Sequence, residues 1–373
     1  MTAFLETTAS YRPGARTLEG RYYTSPELFA EEAERVFARA WVCVGRAAAL
    51  DAPGRYLLAE VAGESLIVVR DKSDRLRAYY NVCRHRGTRL CEEPAGTLPG
   101  TIQCPYHAWT YGLDGRCVGA PHMQEAEGFD KADFPLHEAR IGAWDGFVFV
   151  TLDPAAQPLE RAVAPLAGRF ARFNLERLVG VRRIDYEVAA NWKLILQNYN
   201  ECLHCPTIHP ELSAKLPYTS GANDLVEGPF LGGYMEIKPP FQSATVSGRV
   251  CAMPLGNLEG DDRRRAFYYA LFPAMMLSLH PDYAVFYRVV PRSATTSTVT
   301  CEWMVHPDAP GAPGYDIGDA EAFWDLTNRQ DWRICEMSQR GVASRVYAPG
   351  PYSPRESIPA AWDREYLRWM APG

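Results

Sequence analysis

The sequence predicts an α+β protein of two domains: a small all-β domain near the amino terminus, then a larger domain of mixed helices and strands. Three observations predict it. The chain has 373 residues, 47% of them hydrophobic, and a single hydrophobic core stops growing well short of that length. Short apolar or alternating runs crowd residues 42–153 between Gly, Pro and Asp turns. After Asp153-Pro154 longer helical patterns alternate with strand-like runs.

Residues 1–41 read as a helical arm. Ser25-Pro26 supplies an N-cap and a first helical residue, and Leu28, Ala33, Val36, Phe37 and Trp41 continue a core-facing pattern. Within 42–153 the runs RYLLAEVA, SLIVVRD, RAYYNV, GTIQCPYHAWTY and WDGFVFVTL read as strands. Within 154–373 helices are expected at about 159–173, 192–205 and 320–341. Between them RRIDYEVAA, FYYALFPAMMLSLH, YAVFYRVVP and STVTCEWMV read as strands, and no internal repeat appears.

A net charge of −6 and a pI near 5.8 leave no basic stripe for nucleic acid or anionic lipid. The opening MTAFLETTASYRPGAR lacks the charged start and apolar run of a secretory signal. No stretch approaches the roughly 18 consecutive apolar residues that span a bilayer. The expectation is a cytoplasmic protein without membrane or nucleic-acid partners. Its ten cysteines are expected to stay reduced, as metal ligands or inert core thiols.

Two Cys-plus-His pairs stand in the β domain, Cys83 with His85 in NVCRHRGTRL and Cys104 with His107 in CPYHAWTY. Two thiolates and two imidazoles suit a tetrahedral zinc or a two-iron, two-sulfur cluster with two His replacing two Cys on one iron. Gly87 and Pro105 set the pairs in turns where main-chain amides can approach sulfur, and Tyr106 and Trp109 can shield one side.

A second constellation is NECLHCPTIHPEL, residues 200–212. On a helix Gln197, Glu201 and His204 share one face. Pro206 stops that helix near Cys205, so His209 returns from the following turn toward His204. Cys202 points away from His204 and Cys205 lies about 100° round, so both read as packing residues. The order C-x-x-C-H of a covalent haem site is absent. Two His need a carboxylate to complete an open iron site. In FWDLTNRQDWRICEMSQRG, Asp325 and Glu336 fall on a charged stripe with Glu321, Arg329 and Arg340, whereas Asp331 lies apart among Trp324, Thr327, Ile334 and Ser338. A capped or salt-bridged core acid is the ordinary reading of such a residue; two unpartnered imidazoles upstream favour a ligand instead.

The pattern C-R-H-R-G, then C-P-Y-H-x-W, resembles the Rieske cluster motif, and NWKLILQNYNECLHCPTIHPEL resembles the mononuclear iron motif of Rieske-type non-haem iron oxygenases. The two motifs stand in the right order and separation, so the resemblance covers nearly the whole chain. It implies a Rieske domain ahead of a catalytic domain of helix-grip type, an antiparallel sheet with helices. It implies Cys83 and Cys104 on one iron of a 2Fe-2S cluster, His85 and His107 on the other, and His204 and His209 on a mononuclear Fe(II). D-x-x-x-C-E-x-x-Q-x-G resembles the third-ligand region and maps to Asp331.

The same resemblance implies that Glu201 links the catalytic iron of one subunit to a cluster His of its neighbour in a homotrimer, because the two centres of one chain are too far apart. Asn198 is a second catalytic candidate. Dioxygen is the implied co-substrate. Electrons would come from NAD(P)H through a separate flavin or iron-sulfur reductase, directly or by way of a ferredoxin, because the chain has no flavin or nicotinamide fingerprint of its own. Most members carry Asp where this chain has Glu201. That departure resembles the branch oxidising quaternary ammonium compounds such as choline, glycine betaine, carnitine and proline betaine. The expected reaction is hydroxylation or N-demethylation of a small substrate of that kind. The alternatives are aromatic-ring hydroxylation within the family, a non-catalytic electron-transfer Rieske protein, and a zinc-stabilised binding protein.

Overall fold

A computed structural model describes residues 4–371. They divide into a unit spanning Ala33–Ala164 and a larger unit made of the chain up to Glu32 and from Pro165 onward.

The smaller unit is mostly β, with short helical segments such as Ala33–Phe37 and Leu159–Ala162 at its ends. Its seven-stranded sheet runs Val42–Arg46, Phe147–Thr151, Glu138–Trp144, Leu76–Tyr80, Glu64–Arg70, Arg55–Val61, Ala95–Thr97 in spatial order. Ile67, Val68 and Val69 are fully buried, so both faces of that strand are covered and β-branched residues fill it. A second sheet joins Thr101–Gln103, Thr110–Gly112 and Cys117–Gly119. The single strand expected across 100–111 is thus two strands with a loop between them. Pro105 removes a ladder donor there, and Ala108 turns the chain with φ +58°.

The larger unit is built on an eight-stranded antiparallel sheet in the order Leu5–Glu6, Ala222–Leu225, Phe230–Glu236, Arg265–Leu271, Met275–Leu279, Ala284–Ser293, Thr296–Val305, Val179–Val188. The run expected as one strand over 267–280 is a hairpin, because Pro273 cannot extend a ladder. The helix expected over 159–173 is one helical turn, Leu159–Ala162, followed by 3-10 turns. Pro165 and Gly168, the latter at φ +71°, interrupt it.

Helix Ile317–Val342 packs against Val179–Val188 and against helix Trp192–Tyr199. Helix Ser357–Met370 packs on Trp192–Tyr199 and on Phe230–Glu236. This last helix was not anticipated, although the S-x-x-E of Ser353 and Glu356 makes a capping box just before it. In the arm, the Ser25 hydroxyl accepts the Leu28 N–H at 3.1 Å and starts helix Pro26–Glu32.

Three of these elements are pinned together by one buried polar cluster. Lys193 Nζ lies 2.5 Å from Glu32 Oε1, and Glu32 also accepts from Trp192 Nε1 and the Tyr366 hydroxyl. Burial pulls the Lys193 ammonium down to about 8 against the attraction of Glu32. Removing one partner of such a pair costs about 3–5 kcal/mol. The cluster therefore fixes helix Trp192–Tyr199, after whose end His204 and His209 follow. No helix among the described residues is long and apolar enough to cross a membrane.

Candidate metal centres

The two cluster loops are built alike. Cys83 N–H donates to Thr88 O at 2.8 Å and Gly87 N–H to Cys83 O at 3.0 Å; Cys104 N–H donates to Trp109 O at 2.8 Å and Ala108 N–H to Cys104 O at 3.2 Å. The fourth residue after each Cys is left-handed, Gly87 at φ +76° and Ala108 at φ +58°. Glycine takes that conformation freely, whereas alanine carries a cost of about 1–2 kcal/mol.

Both cysteines are buried at 3% exposure, over a core that includes Ile67, Tyr79, Ile102 and Tyr111. Burial raises the Cys104 thiol, offset in part by the Tyr106 and His107 N–H groups directed at its sulfur. The Tyr111 hydroxyl accepts from Arg84 N–H at 3.0 Å and can donate to Cys83 Sγ at 3.3 Å.

His85 and His107 sit outside this core as a second pair, ring centroids 4.9 Å apart. His85 is half-buried and stacks on Trp109, while His107 is exposed beside Tyr106. Burial, with His107 and Arg86 nearby, holds His85 below its usual value, which favours the neutral imidazole that ligation needs. A tetrahedral zinc would gather all four donors round one point. Among the described residues the one His/Cys/Asp/Glu group with every donor atom within 4.8 Å of the others is His204, Cys205 and His209. Buried sulfurs on one side and outer imidazoles on the other suit a two-iron cluster better.

The second centre departs from the expected helix. Helix Trp192–Tyr199 ends well before Cys205, with Asn200 Nδ2 donating back to Leu196 O at 2.7 Å. The Glu201 carboxylate then accepts the N–H groups of Leu203 and His204, closing a turn in place of helix. Glu201 and His204 meet through this turn, with His204 Nδ1 2.5 Å from Glu201 Oε1. Pro206 opens a short helix, Cys205–Ile208, and His209 follows it. Cys202 and Cys205, expected to be separate packing thiols, form a disulfide across the turn with Cα atoms 4.9 Å apart; the expectation measures each thiol only against His204, although residues three apart lie close together on a helix or a turn. The other eight cysteines are buried and form no disulfide among the described residues.

From helix Ile317–Val342, Asp331 Oδ1 comes within 3.3 Å of His204 Nε2 and 2.8 Å of His209 Nε2. On the far side of each ring Nδ1 has its own partner, Glu201 for His204 and Gln330 Oε1, at 2.7 Å, for His209. With each Nδ1 taken up by its outer partner, both Nε2 atoms turn toward the Asp331 carboxylate, the orientation of metal-binding imidazoles. Burial opposes charge here, but the Asp331 and Glu201 hydrogen bonds outweigh it and raise His204 to about 10. His209 is raised by Asp331, and Asp331 is lowered by both imidazoles despite its burial. The pocket thus favours positive charge at its centre, and two Nε2 atoms with one carboxylate fit a 2-His-1-carboxylate site. Cys205 Sγ lies 3.8 Å from His204 Nε2, but bonded to Cys202 it has no thiolate to offer.

Asp325 is engaged elsewhere, accepting from the Tyr186 hydroxyl at 2.8 Å and from Arg329 at 2.9 Å. Glu336 accepts the Ala189 N–H. Asn198 lines the cavity beside Glu201, and its main-chain oxygen accepts the Glu201 N–H. Gln330 was not singled out from the sequence; its position beside Asp331 on the helix was the available signal.

A cavity opens on the His204, His209 and Asp331 group, walled by Tyr199, Tyr268 and Trp324. Tyr268 lies 6.3 Å, centroid to centroid, from both Tyr199 and Trp324. Trp324, Thr327 and Asp331 all line the cavity, and their spacing of i, i+3, i+7 places them on one stripe of the helix.

Residues 40–134 match the Rieske [2Fe-2S] domain, and residues 175–372 match the ring-hydroxylating α-subunit catalytic domain. The chain is 31% identical to the glycine betaine monooxygenase oxygenase subunit of Chromohalobacter salexigens, over 92% of this chain and 83% of that one. It is 30% identical to the carnitine monooxygenase oxygenase subunit of Escherichia coli K12, over 89% and 86%. The crystal structure of the quaternary ammonium Rieske monooxygenase CntA with L-carnitine superposes with a TM-score of 0.82 at 25% identity, covering 98% of both chains. With the catalytic domain matched over more than half its length and relatives of this identity over most of it, the chain belongs to the Rieske-type ring-hydroxylating oxygenase α-subunit family and is an oxidoreductase.

Proposed function

We propose that this chain is the oxygenase component of a multicomponent system that hydroxylates a small quaternary ammonium substrate at an N-methyl carbon. The observation that carries the substrate class is the wall of Tyr199, Tyr268 and Trp324 beside His204, His209 and Asp331. A quaternary ammonium has no N–H to donate, so aromatic faces are its natural partners. The glycine betaine and carnitine relatives support the same reading. The ring-hydroxylase alternative would call for an apolar slot, whereas this cavity also includes Asn223 and Arg355.

In this reading Cys83, Cys104, His85 and His107 hold the 2Fe-2S cluster, and His204, His209 and Asp331 hold Fe(II). When bound, the cluster supplies single electrons and the iron supplies dioxygen activation. The protein's own contributions are positional. Gln330 and Glu201 fix the two ligating rings, the aromatic wall presents a methyl group to the site, and Asn198 positions substrate beside Glu201. Glu201 also carries the electron path across a subunit boundary of a homotrimer, from His107 of the partner subunit or His85 of the partner subunit to His204. A separate flavin or iron-sulfur reductase, fed by NAD(P)H with or without a ferredoxin, supplies the electrons. One dioxygen, two electrons and two protons convert R–N(CH3)3+ to R–N(CH3)2(CH2OH)+ and water; the carbinol then yields formaldehyde, a proton and the dimethylamine.

The test is metal content with product analysis. The purified protein should hold about three irons per chain, two in a brown cluster and one mononuclear, and with a generic reductase it should release formaldehyde from trimethylammonium compounds. Stoichiometric zinc without colour sinks the cluster assignment, and turnover of aromatic acids alone transfers the substrate reading to ring hydroxylation.

A further inference from the structure

The cavity has a second end that the aromatic wall does not explain. One cross-strand row of the large sheet reads Leu5, Asn223, Gly233, Tyr268, Ser278, each paired with the next. Residues directly paired across strands share a face. At the iron-ligand side of this row, the Tyr199 hydroxyl bonds Ser278 Oγ at 2.9 Å and Tyr268 packs near Trp324. Asn223 stands two strands from Tyr268, about 9–10 Å at the main chain. Gly233 lies between them, where any Cβ would strike the Ala222 carbonyl oxygen and the Asn223 main chain. The glycine leaves a side-chain-free floor that joins the two ends.

The Asn223 end carries donors without acceptors. Asn223 Nδ2 is buried and has no hydrogen-bond partner among the described residues, which is costly unless something fills the vacancy. Arg355 lines the same cavity, its guanidinium 5.6 Å from the Tyr218 ring centroid and in no ion pair among the described residues. Segment Thr7–Ser10 abuts Pro354–Glu356, with the Ser357 hydroxyl donating to Thr7 O at 2.5 Å. Strand Leu5–Glu6 pairs with Ala222–Leu225. Arg355 and Asn223 thus line one cavity from segments that residues 5–10 join to each other.

An unpaired guanidinium repels a simple cation and attracts a carboxylate, and a bare amide N–H asks for an acceptor. Resting on the quaternary ammonium reading above, we infer that Arg355 and Asn223 form a carboxylate-reading end of the cavity, so that this oxygenase selects a zwitterion, a trimethylammonium group with a carboxylate at the other end, over a simple ammonium alcohol. The ammonium lies against Tyr268 and Trp324, and the carboxylate crosses the Gly233 floor to Asn223 and Arg355. The two are specificity residues and touch no metal ligand.

The test is equilibrium binding by calorimetry on the anaerobic holoenzyme, with glycine betaine, its longer-chain trimethylammonium carboxylates and choline as probes, followed by steady-state kinetics. The expected result is that at least one carboxylate binds roughly 10- to 100-fold tighter than choline. Arg355→Ala, an exposed position, should erase most of that preference, raising KM for the zwitterion while kcat holds and leaving choline binding unchanged or improved. Arg355→Lys should restore part of the preference, and Asn223→Ala should weaken the zwitterion alone. Equal weakening of zwitterion and cation in Arg355→Ala, or equal affinity for the two in the unmodified protein, overturns the carboxylate end and leaves the ammonium reading standing. Failure of every quaternary ammonium probe to bind overturns both.

Discussion

The candidate cluster site and the candidate iron site solve the same problem, gathering metal-binding side chains from separated parts of the chain, by opposite means. The cluster candidates lie between Cys83 and His107 on two turns that repeat one hydrogen-bond pattern, and their core is local to the smaller unit. The iron candidates come from a turn at His204, a helix end at His209 and a separate helix at Asp331, which meet only because of packing. One site is a property of two loops and the other of a whole unit. A change far from the metal should therefore disturb the second and spare the first.

The largest effects should come from crossing the two sites. Asp331→Ala should lose the mononuclear iron and all turnover while keeping the brown cluster, and Cys104→Ala should bleach the cluster while leaving the other site loadable with Fe(II). Iron analysis with visible absorbance on both variants checks this. Asp325→Ala, whose carboxylate serves Tyr186 and Arg329, should lose neither metal; loss of iron from it would break the assignment of Asp331.

Glu201→Gln comes next. Its carboxylate contacts a ring nitrogen and two main-chain N–H groups, so both metals should remain, with a loss of iron affinity of no more than about 10–100-fold. The cluster should reduce normally yet fail to reoxidise with substrate and oxygen in rapid mixing. Glu201→Asp should fall between, and reoxidation at the unmodified rate in Glu201→Gln would remove Glu201 from the path. Gln330→Ala sharpens the same contrast from the other ring. Iron affinity should fall about 10–100-fold by competition with a chelator, with the cluster spectrum untouched.

The smallest effect is a pH dependence that belongs to the larger unit alone. Burial raises Asp363 to about 7 although Gln197, Tyr352, Lys193 and Arg364 favour its charge. A carboxyl raised in the folded state contributes stability that is present below its ordinary value near 3.8 and lost as pH climbs through about 7. Between pH 5 and pH 8 the unmodified protein should lose a few degrees of Tm relative to Asp363→Asn. Parallel curves for the two proteins would show that Asp363 is already ionised at pH 5.

Much of this was legible in the sequence because it depends on short spacings. The Cys-His pairs, the longer strands of the small unit, the Ser25 cap and the separation of Asp331 from the charged stripe all follow from periods of two to four residues, which local sterics impose on any fold. What failed locally failed for a local reason that tertiary context decided. Asn200 and Glu201 turned their side chains to main-chain groups and ended a helix whose apolar period continued. The expected strand at 267–280 folded over at Pro273 into two. Tyr268, Asn223 and Arg355 carry no spacing signal at all. They became site residues because sheet register set Asn223 in line with Tyr268, and because Lys193 buried against Glu32 fixed the helix from which Glu201 and His204 depart. Sequence by itself determined which residues could hold metal, since ligand chemistry resides in side-chain type. Only the tertiary structure decided which imidazoles Asp331 would reach and what shape of substrate the cavity would admit, because those depend on distances between segments that the chain brings together only on folding.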